Sequence, residues 1–189
     1  MTYADSVQKM NEYRMQIASL REELHKVQAD IEPQEVSDYT FQTPDGAVAL
    51  SDLFGDKDDL IVIHNMGNSC SYCTLWADGY NGVYPHLADR AAFVISSPDS
   101  PDAQAHFARS RGWTFPMVSH QGTTFAEDMG YVGEYGWMPG VSVFRRENGR
   151  ILRVSDTHCG PGDDFCSVWH FLGMLPAGPD GWQPKFKYA

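Results

Sequence analysis

Two cysteines separated by two residues, Cys70 and Cys73, are the residues whose type and spacing most directly suggest chemistry. A helix that begins at Cys70 would place its sulfur beside free backbone N–H groups and the positive end of the helix dipole, which stabilise a thiolate. Cys73 would then lie on the same face one turn later, within the distance that a disulfide allows. The pattern predicts that Cys70 attacks a disulfide and that Cys73 resolves the mixed intermediate, with no metal or organic cofactor.

The residues before this pair indicate how it is positioned. Residues 60–64, Leu-Ile-Val-Ile-His, form a short and almost wholly apolar run, which is typical of a strand buried on both faces. A polar, glycine-containing turn follows at residues 65–69, and a helix is predicted to start near Cys70. His64 ends the predicted strand, where it would either lower the pKa of Cys70 or serve as an ordinary hydrogen-bonded structural histidine.

A proline further along the chain predicts where a substrate would lie. Pro139 directly precedes a predicted strand at residues 141–144, where a proline cannot donate a ladder hydrogen bond. If the Met138–Pro139 peptide is cis and faces Cys70, the Met138 backbone would pair with an extended substrate. The alternative is a trans proline that only begins a strand.

Three aromatic residues are close in sequence to these positions. We expect Trp137 to form one wall of the substrate groove. Tyr72, between the two cysteines, is expected to lie exposed at the rim of the same groove. Trp76 follows the pair on the predicted helix and is a candidate modulator of the thiols, as is His64.

Two more cysteines, Cys159 and Cys166, flank a glycine-containing segment. They are either unrelated thiols, a second disulfide, or a shuttle partner for the first pair. A metal site formed by Cys70, Cys73, His158 and Cys159 is the main alternative function, because zinc, copper and iron–sulfur clusters use such ligands. The adjacent His-Cys argues against it, since neighbouring residues do not present two ligands on one face. A binding scaffold without turnover is a third interpretation.

Charge and composition exclude several other classes of function. The 189 residues include 14 Lys and Arg against 25 Asp and Glu, a net charge of −11, so no basic footprint for nucleic acid or an anionic membrane is expected. No apolar run approaches the roughly 20 residues of a membrane span, and the first residues do not resemble a signal peptide. We therefore expect a soluble, cytoplasmic protein whose partner is a protein or small-molecule disulfide or thiol.

A heptad pattern marks the N-terminal segment. From about Ser6 to Ile31, apolar residues recur at alternating steps of three and four, and Pro33 is expected to stop the helix. We call these residues the seam; they are Met10, Tyr13, Ile17, Leu20, Leu24, Val27 and Ile31. The helical arm would either pack on its own domain or form a homodimer contact.

The remaining pattern alternates strands and helices. We predict a hairpin at residues 39–50, a strand at 91–95, a helix at 102–111, an extended piece at 115–118, a helix at 123–129, a hairpin at 141–154 and a helix at 165–175. This order indicates an α/β fold, an α/β/α sandwich around a mixed central sheet. The predicted organisation is an amphipathic helical arm (1–32), the α/β domain (33–175) and a coil tail (176–189).

The order of these parts resembles the thioredoxin fold: a buried strand, Cys-x-x-Cys at a helix start, and later a proline, a hairpin and a helix. Over about residues 33–175, the chain is also similar to a bacterial thioredoxin-like family, domain of unknown function eight hundred ninety-nine. The segments that carry this similarity are Asp52–Gly55, Ser71–Gly82, Gly112–Pro116 and Pro139–Arg146.

The resemblance implies a thioredoxin-like fold related to peroxiredoxins, with Cys70 and Cys73 at the redox position and Pro139 at the cis-proline position. Two departures from those patterns stand out. Thioredoxin-like proteins commonly carry a tryptophan before the first cysteine, where this chain has Ser69. The proline and threonine that precede the reactive cysteine of peroxiredoxins are absent from residues 66–69, which argues against a dedicated peroxidase.

Overall fold

The two apolar runs at residues 60–64 and 91–95 become neighbouring strands at the centre of the fold. The structure is a computed structural model that describes residues 2–188. Its helices are α1 (Tyr3–Ala29), α2 (Ser71–Arg90), α3 (Pro101–Arg111), α4 (Phe125–Asp128) and α5 (Ser167–Gly173). Its strands are β1 (Gln34–Val36), β2 (Thr40–Thr43), β3 (Gly46–Ala49), β4 (Asp59–His64), β5 (Ala92–Ser97), β6 (Met117–Ser119), β7 (Val132–Gly133), β8 (Gly136–Trp137), β9 (Gly140–Glu147) and β10 (Arg150–His158).

A mixed sheet is the central element. Its strand order is β1-β10-β9-β4-β5-β6-β2-β3, and β7 and β8 form a separate small hairpin. The pairs β4–β5 and β5–β6 are parallel, whereas every other neighbouring pair is antiparallel. The predicted α/β fold with a mixed central sheet is confirmed.

The sheet separates two apolar cores because alternate residues of a strand point to opposite faces. On β4, Leu60 and Val62 are buried in one core and Ile63 in the other. The first core includes Phe41, Leu60, Val62, Phe125, Tyr131 and Phe144. The second core includes Ile63, Cys73, Trp76, Tyr80, Phe93 and Trp169. Helix α2 packs its apolar face into the second core, so its first turn lies there as well.

Several predicted boundaries differ from the structure. The Asn148-Gly149 turn joins β9 and β10 as predicted, with φ of 51° and 76°. The predicted helix at 123–129 is only Phe125–Asp128, and the last helix is Ser167–Gly173. Three short strands were not predicted: β1, β7 and β8. Strands of two or three residues are too short to show an alternation of apolar and polar residues.

The N-terminal arm is one of two units into which the chain divides, at Pro33 and Gln34. Its helix begins earlier than predicted because Thr2 and Asp5 form a capping box, with reciprocal side-chain to backbone hydrogen bonds of 3.2 and 2.9 Å. None of the residues of α1 is buried. All seven seam residues are exposed, from 42% at Ile31 to 65% at Val27.

The C-terminal tail contains turns and coil up to residue 188. Trp182 packs edge-to-face on Trp169, and the Phe186 carbonyl accepts a hydrogen bond from Arg111. The predicted coil is therefore held by specific contacts within the second unit. No helix among residues 2–188 is long and apolar enough to cross a membrane.

Candidate active site

The first turn of α2 positions the cysteine pair. Cys70 is the N-cap residue, with extended backbone angles, and its sulfur accepts a hydrogen bond from the backbone N–H of Cys73 at 3.0 Å. The Cys70 carbonyl accepts from both the N–H and the hydroxyl of Thr74, at 3.0 and 2.9 Å. The helix start is thereby fixed on both sides of Cys70, and the half-buried thiol faces free N–H groups as the sequence predicts.

Cys73 lies beneath Cys70 and is 2% exposed. Its sulfur accepts from the backbone N–H of Met66 at 3.5 Å, in the loop that follows β4. The four cysteines are free thiols in this structure. The buried position of Cys73 leaves Cys70 as the sulfur of the pair that solvent can reach.

The two thiols have opposite electrostatic environments. The pKa of Cys70 is lowered from 9.0 to about 7, chiefly by a hydrogen bond from the Cys73 side chain. Burial opposes this shift, and hydrogen bonds from the backbone N–H groups of Cys73 and Tyr72 add to it. The hydrogen bond to Cys70, burial and the negative charge of a Cys70 thiolate all raise the pKa of Cys73. Near neutral pH, this arrangement favours a Cys70 thiolate beside a protonated Cys73.

Tyr72 and Trp76 pack around the pair. Tyr72 is half-buried, with its ring stacked at 6.0 Å on Trp169 and 6.4 Å from Trp76, so it does not project freely at a rim. Trp76 is 4% exposed and its indole N–H donates to Asp163 at 3.3 Å. Both aromatic residues lie on α2 and pack into the second core, where Tyr72 contacts Trp169 of α5.

The structure does not bring Met138 and Trp137 to Cys70. The Met138 N–H donates to the Tyr131 carbonyl at 2.9 Å, and its side chain packs against the first core. Trp137 contacts the ring of His120 at 4.9 Å. Of the Met138 backbone groups that were predicted to pair with a substrate, the N–H already has a partner inside the fold.

The Met138–Pro139 peptide is trans, as are all peptide bonds in the described part of the chain. The expectation of a cis-proline is therefore corrected in favour of the alternative, a proline that begins a strand. Pro139 nevertheless lies near the pair: it lines a small cavity together with Cys73 and Cys159, and its carbonyl accepts from the Cys159 N–H at 2.9 Å.

The side chain of His64 lies in the first core, whereas Cys73 lies in the second. Its ring stacks on Tyr131 at 3.7 Å and on Phe125 at 5.3 Å, and Nε2 is 2.9 Å from the Ser142 hydroxyl. Burial, with a smaller contribution from His120, holds the pKa of His64 well below its usual range. His64 is thus a neutral structural histidine, and it supplies no cation to Cys70.

The predicted metal-ligand set is not assembled. Residues 2–188 contain no group of three or more His, Cys, Asp or Glu side chains arranged to hold a metal ion. Cys159 adjoins Cys73, but the exposed His158 packs on Tyr131 at 4.9 Å. His158 and Cys159 point apart because successive residues at a strand end face opposite sides of a sheet.

Two residues near the pair were not singled out from the sequence. Asp163 joins Trp76 to the Cys159–Cys166 segment, and Tyr80 lies beside Cys159 in the second core. Tyr80 lies seven residues, or two helical turns, beyond Cys73, so helical periodicity alone places it on the same face. The partner of Asp163 depends on a long-range contact that no local pattern shows.

Comparison with solved structures defines the class of fold. A cysteine-to-serine variant of Xylella fastidiosa PrxQ is 17% identical with a TM-score of 0.58, covering 69% of this chain and 87% of that one. BcpB, a peroxidoxin of Mycobacterium tuberculosis, is 23% identical with a TM-score of 0.55, covering 67% and 84%. A Xanthomonas campestris peroxiredoxin Q variant is 17% identical with a TM-score of 0.54, covering 64% and 80%. The fold is that of the thioredoxin-like proteins, in the form that peroxiredoxins share.

Family comparison gives the closer assignment. A family model described as bacterial protein of unknown function, DUF899, matches residues 7–187. The chain belongs to this family, as the resemblance of its sequence segments indicates. No match was found among curated proteins.

Proposed function

We propose that the protein is a thiol–disulfide oxidoreductase in which Cys70 is the nucleophile and Cys73 the resolving thiol. The observation that carries this proposal is the hydrogen bond from the Cys73 N–H to the Cys70 sulfur at the start of α2. It stabilises the thiolate at the more accessible of the two sulfurs. The pKa of Cys70, about 7, gives a substantial thiolate fraction near neutral pH.

The reaction follows from this difference between the thiols. The Cys70 thiolate attacks one sulfur of a substrate disulfide, and the other substrate sulfur leaves as a thiolate. Cys73 then gives its proton to the first substrate thiolate and attacks the Cys70 sulfur of the mixed disulfide, which releases the second substrate thiolate. Because Cys73 is buried directly beneath Cys70, its attack is intramolecular and competes well with external thiols.

The proposed substrate is an accessible disulfide, or in the reverse direction a dithiol, of a protein or a small molecule. The net charge of −11 disfavours strongly negatively charged substrates, because the protein repels them. A peroxide is the competing substrate class, since the fold is shared with peroxiredoxins. The sequence ahead of Cys70, Met-Gly-Asn-Ser at residues 66–69, lacks the proline and threonine of that chemistry.

Self-association through α1 is the proposed quaternary contact. The seam is a strict alternation of three and four, which is the spacing that pairs with another helix of the same repeat. All seven seam residues are exposed in the single chain. A second copy of the arm would bury them, so we infer a homodimer.

Substrate trapping tests the proposed function. The reduced protein is offered a small disulfide or a peroxide, in separate reactions, with Cys70→Ser and Cys73→Ser alongside. We expect disulfide turnover in the native protein, none in Cys70→Ser, and a stable mixed disulfide on Cys70 in Cys73→Ser. Peroxide consumption without disulfide turnover would replace the proposal with a peroxidase, and turnover in neither reaction would leave a binding scaffold.

A further inference from the structure

All four cysteines belong to one packed region. Cys73 and Cys166 are buried in the second core, at 2% and 4% exposure, and Cys70 and Cys159 pack against it. The sheet has two faces, and cysteines placed at random would be divided between the two cores. Here two come from the first turn of α2 and two flank the segment that connects β10 to α5.

Cys73 and Cys159 line the same small cavity. Pro139 and Tyr80 also line it, and it has roughly the room for one water molecule. A charge on Cys159 also adds, as the smallest of the named causes, to the raised pKa of Cys73. Because Cys73 is nearly closed to solvent, the shared cavity is the side from which Cys159 would approach it.

Asp163 holds the segment from Cys159 to Cys166 against α2. Its carboxylate accepts from the Trp76 indole at 3.3 Å and from the backbone N–H groups of Gly160 and Phe165 at 3.0 and 2.9 Å. Hydrogen bonds within the segment therefore fix its shape, and the bond to Trp76 attaches it to α2 one helical turn after Cys73. Asp163 also lies beside Cys159, whose pKa rises to about 12, chiefly through burial and then through this carboxylate.

We propose that Cys159 and Cys166 form a second dithiol that exchanges with the Cys70–Cys73 disulfide through Cys73, so that the chain contains an internal thiol relay. This inference rests on the proposed function, because the first disulfide must form before the second dithiol can reduce it. The substrate class of the second pair is the protein's own active-site disulfide. External thiols or disulfides then exchange with the Cys159–Cys166 pair.

The exchange balances within the chain. Cys159 loses its proton to solvent and attacks the Cys73 sulfur; the Cys70–Cys73 bond breaks and Cys70 leaves as a thiolate. Cys166 then gives up its proton and attacks the Cys159 sulfur, and the Cys73–Cys159 bond breaks. Cys73 takes up the proton that Cys166 gave up, and the proton released from Cys159 to solvent balances the charge of the Cys70 thiolate.

The net result is a Cys159–Cys166 disulfide and a reduced Cys70–Cys73 pair. Two electrons have moved between the pairs, and no external oxidant or reductant is consumed. Attack at Cys73 is the favoured first step for two reasons. Cys70 has the lower pKa and is the better leaving group, and Cys73 is the cysteine of the first pair that lines the cavity with Cys159.

Two double variants test the contact itself. Cys70→Ser/Cys166→Ser keeps only Cys73 and Cys159, whereas the matched control Cys70→Ser/Cys159→Ser keeps only Cys73 and Cys166. Each is oxidised with diamide at low protein concentration, and the disulfide is mapped by peptide mass spectrometry. We expect an intramolecular Cys73–Cys159 disulfide that forms at least about tenfold faster than any bond in the control. Equal rates, or no bond in the first variant, would overturn the relay.

The native protein separates failure of the relay from failure of the proposed function. The reduced protein receives less than one equivalent of oxidised glutathione and is quenched with acid at successive times. We expect the Cys70–Cys73 disulfide first and the Cys159–Cys166 disulfide later, with Cys159→Ser arrested at the first. A persistent Cys70–Cys73 disulfide with the other two thiols free would contradict the relay but leave the proposed function intact. If no Cys70–Cys73 disulfide forms although circular dichroism shows folded protein, the proposed function fails.

Discussion

Gly140 lies directly against the ring of Tyr131, so closely that a methyl group on its α-carbon would overlap both that ring and the Thr157 carbonyl. Gly140 pairs with His64 on β4 and with His158 on β10. The Tyr131 hydroxyl lies within hydrogen-bond distance of two backbone carbonyl oxygens, 2.9 Å from that of Val141 and 3.1 Å from that of Thr157. This glycine lets Tyr131 close the first core immediately beside the cavity that Cys73 and Cys159 line on the other face.

Gly140→Ala should therefore destabilise the fold by about 3 kcal/mol or more, because neither the ring nor the backbone carbonyl can move without breaking its own contacts. Urea unfolding measures the free energy. Gly82→Ala is the matched control: it lies inside α2 with open space around it, and we expect a gain of about 0.5–1 kcal/mol from helix propensity. Similar stability changes in the two variants would contradict the close packing at Gly140.

The Cys73 thiol is the largest cause of the lowered Cys70 pKa, so its removal should raise that pKa. We expect the pH of half-maximal Cys70 alkylation by iodoacetamide, near 7 in the native protein, to move toward 9 in Cys73→Ala. Cys73→Ser keeps a side-chain hydrogen-bond donor and should show the smaller shift. Cys159→Ser provides a background that leaves both sulfurs of the first pair in place.

An unchanged profile in Cys73→Ala would assign the lowered pKa to the helix start alone. A second comparison comes from the same labelling experiment. Cys70 should react faster than Cys159 near neutral pH, because burial raises the pKa of Cys159 to about 12. Faster labelling of Cys159 would place the reactive thiol elsewhere.

Two buried histidines should make the protein sensitive to acid. Burial lowers the pKa of His120 from 6.5 to about 4, and the pKa of His64 lies well below 6.5 for the same main reason. Well above pH 6.5 each histidine is neutral in both the folded and the unfolded chain, so the free energy of unfolding has its full value. As the pH falls below 6.5, these histidines bind protons in the unfolded chain but stay neutral in the folded chain. The free energy of unfolding therefore falls progressively toward pH 4.

At about 1.4 kcal/mol per pKa unit, His120 alone should account for roughly 3 kcal/mol over this range. Urea titrations at a series of pH values between 7 and 4 give the slope. We expect His120→Gln to flatten it, and the exposed His106→Gln serves as the control for the substitution itself. An identical slope in His120→Gln and the native protein would show that His120 is already protonated in the fold.

The arm predicts a concentration-dependent dimer. We expect light scattering after size exclusion to give twice the chain mass for the native protein. Leu20→Glu places a charge in the seam and should shift the protein to monomer, since a buried carboxylate without a partner is costly. Met15→Glu is the matched control, because Met15 is 69% exposed but lies outside the seam. A monomer at every concentration would remove the homodimer.

The sequence by itself determined the local features of the site. The apolar run before Cys70 gave a buried strand, and the spacing of Cys70 and Cys73 placed both sulfurs on one face of the first helical turn. The Asn148-Gly149 turn and the heptad seam are equally local. These features depend on backbone preferences and periodicities within a few residues, which a single sequence expresses directly.

Only the tertiary structure decided which distant residues meet the pair. Trp137, Met138 and His64 were expected near Cys70, but the side chains of Met138 and His64 pack against the first core, and the Trp137 ring contacts His120. Cys159 lines a cavity with Cys73 instead, and Asp163 and Trp76 tie its segment to α2. Such choices depend on which face of a strand a residue occupies and on contacts between segments far apart in sequence. No local pattern contains that information.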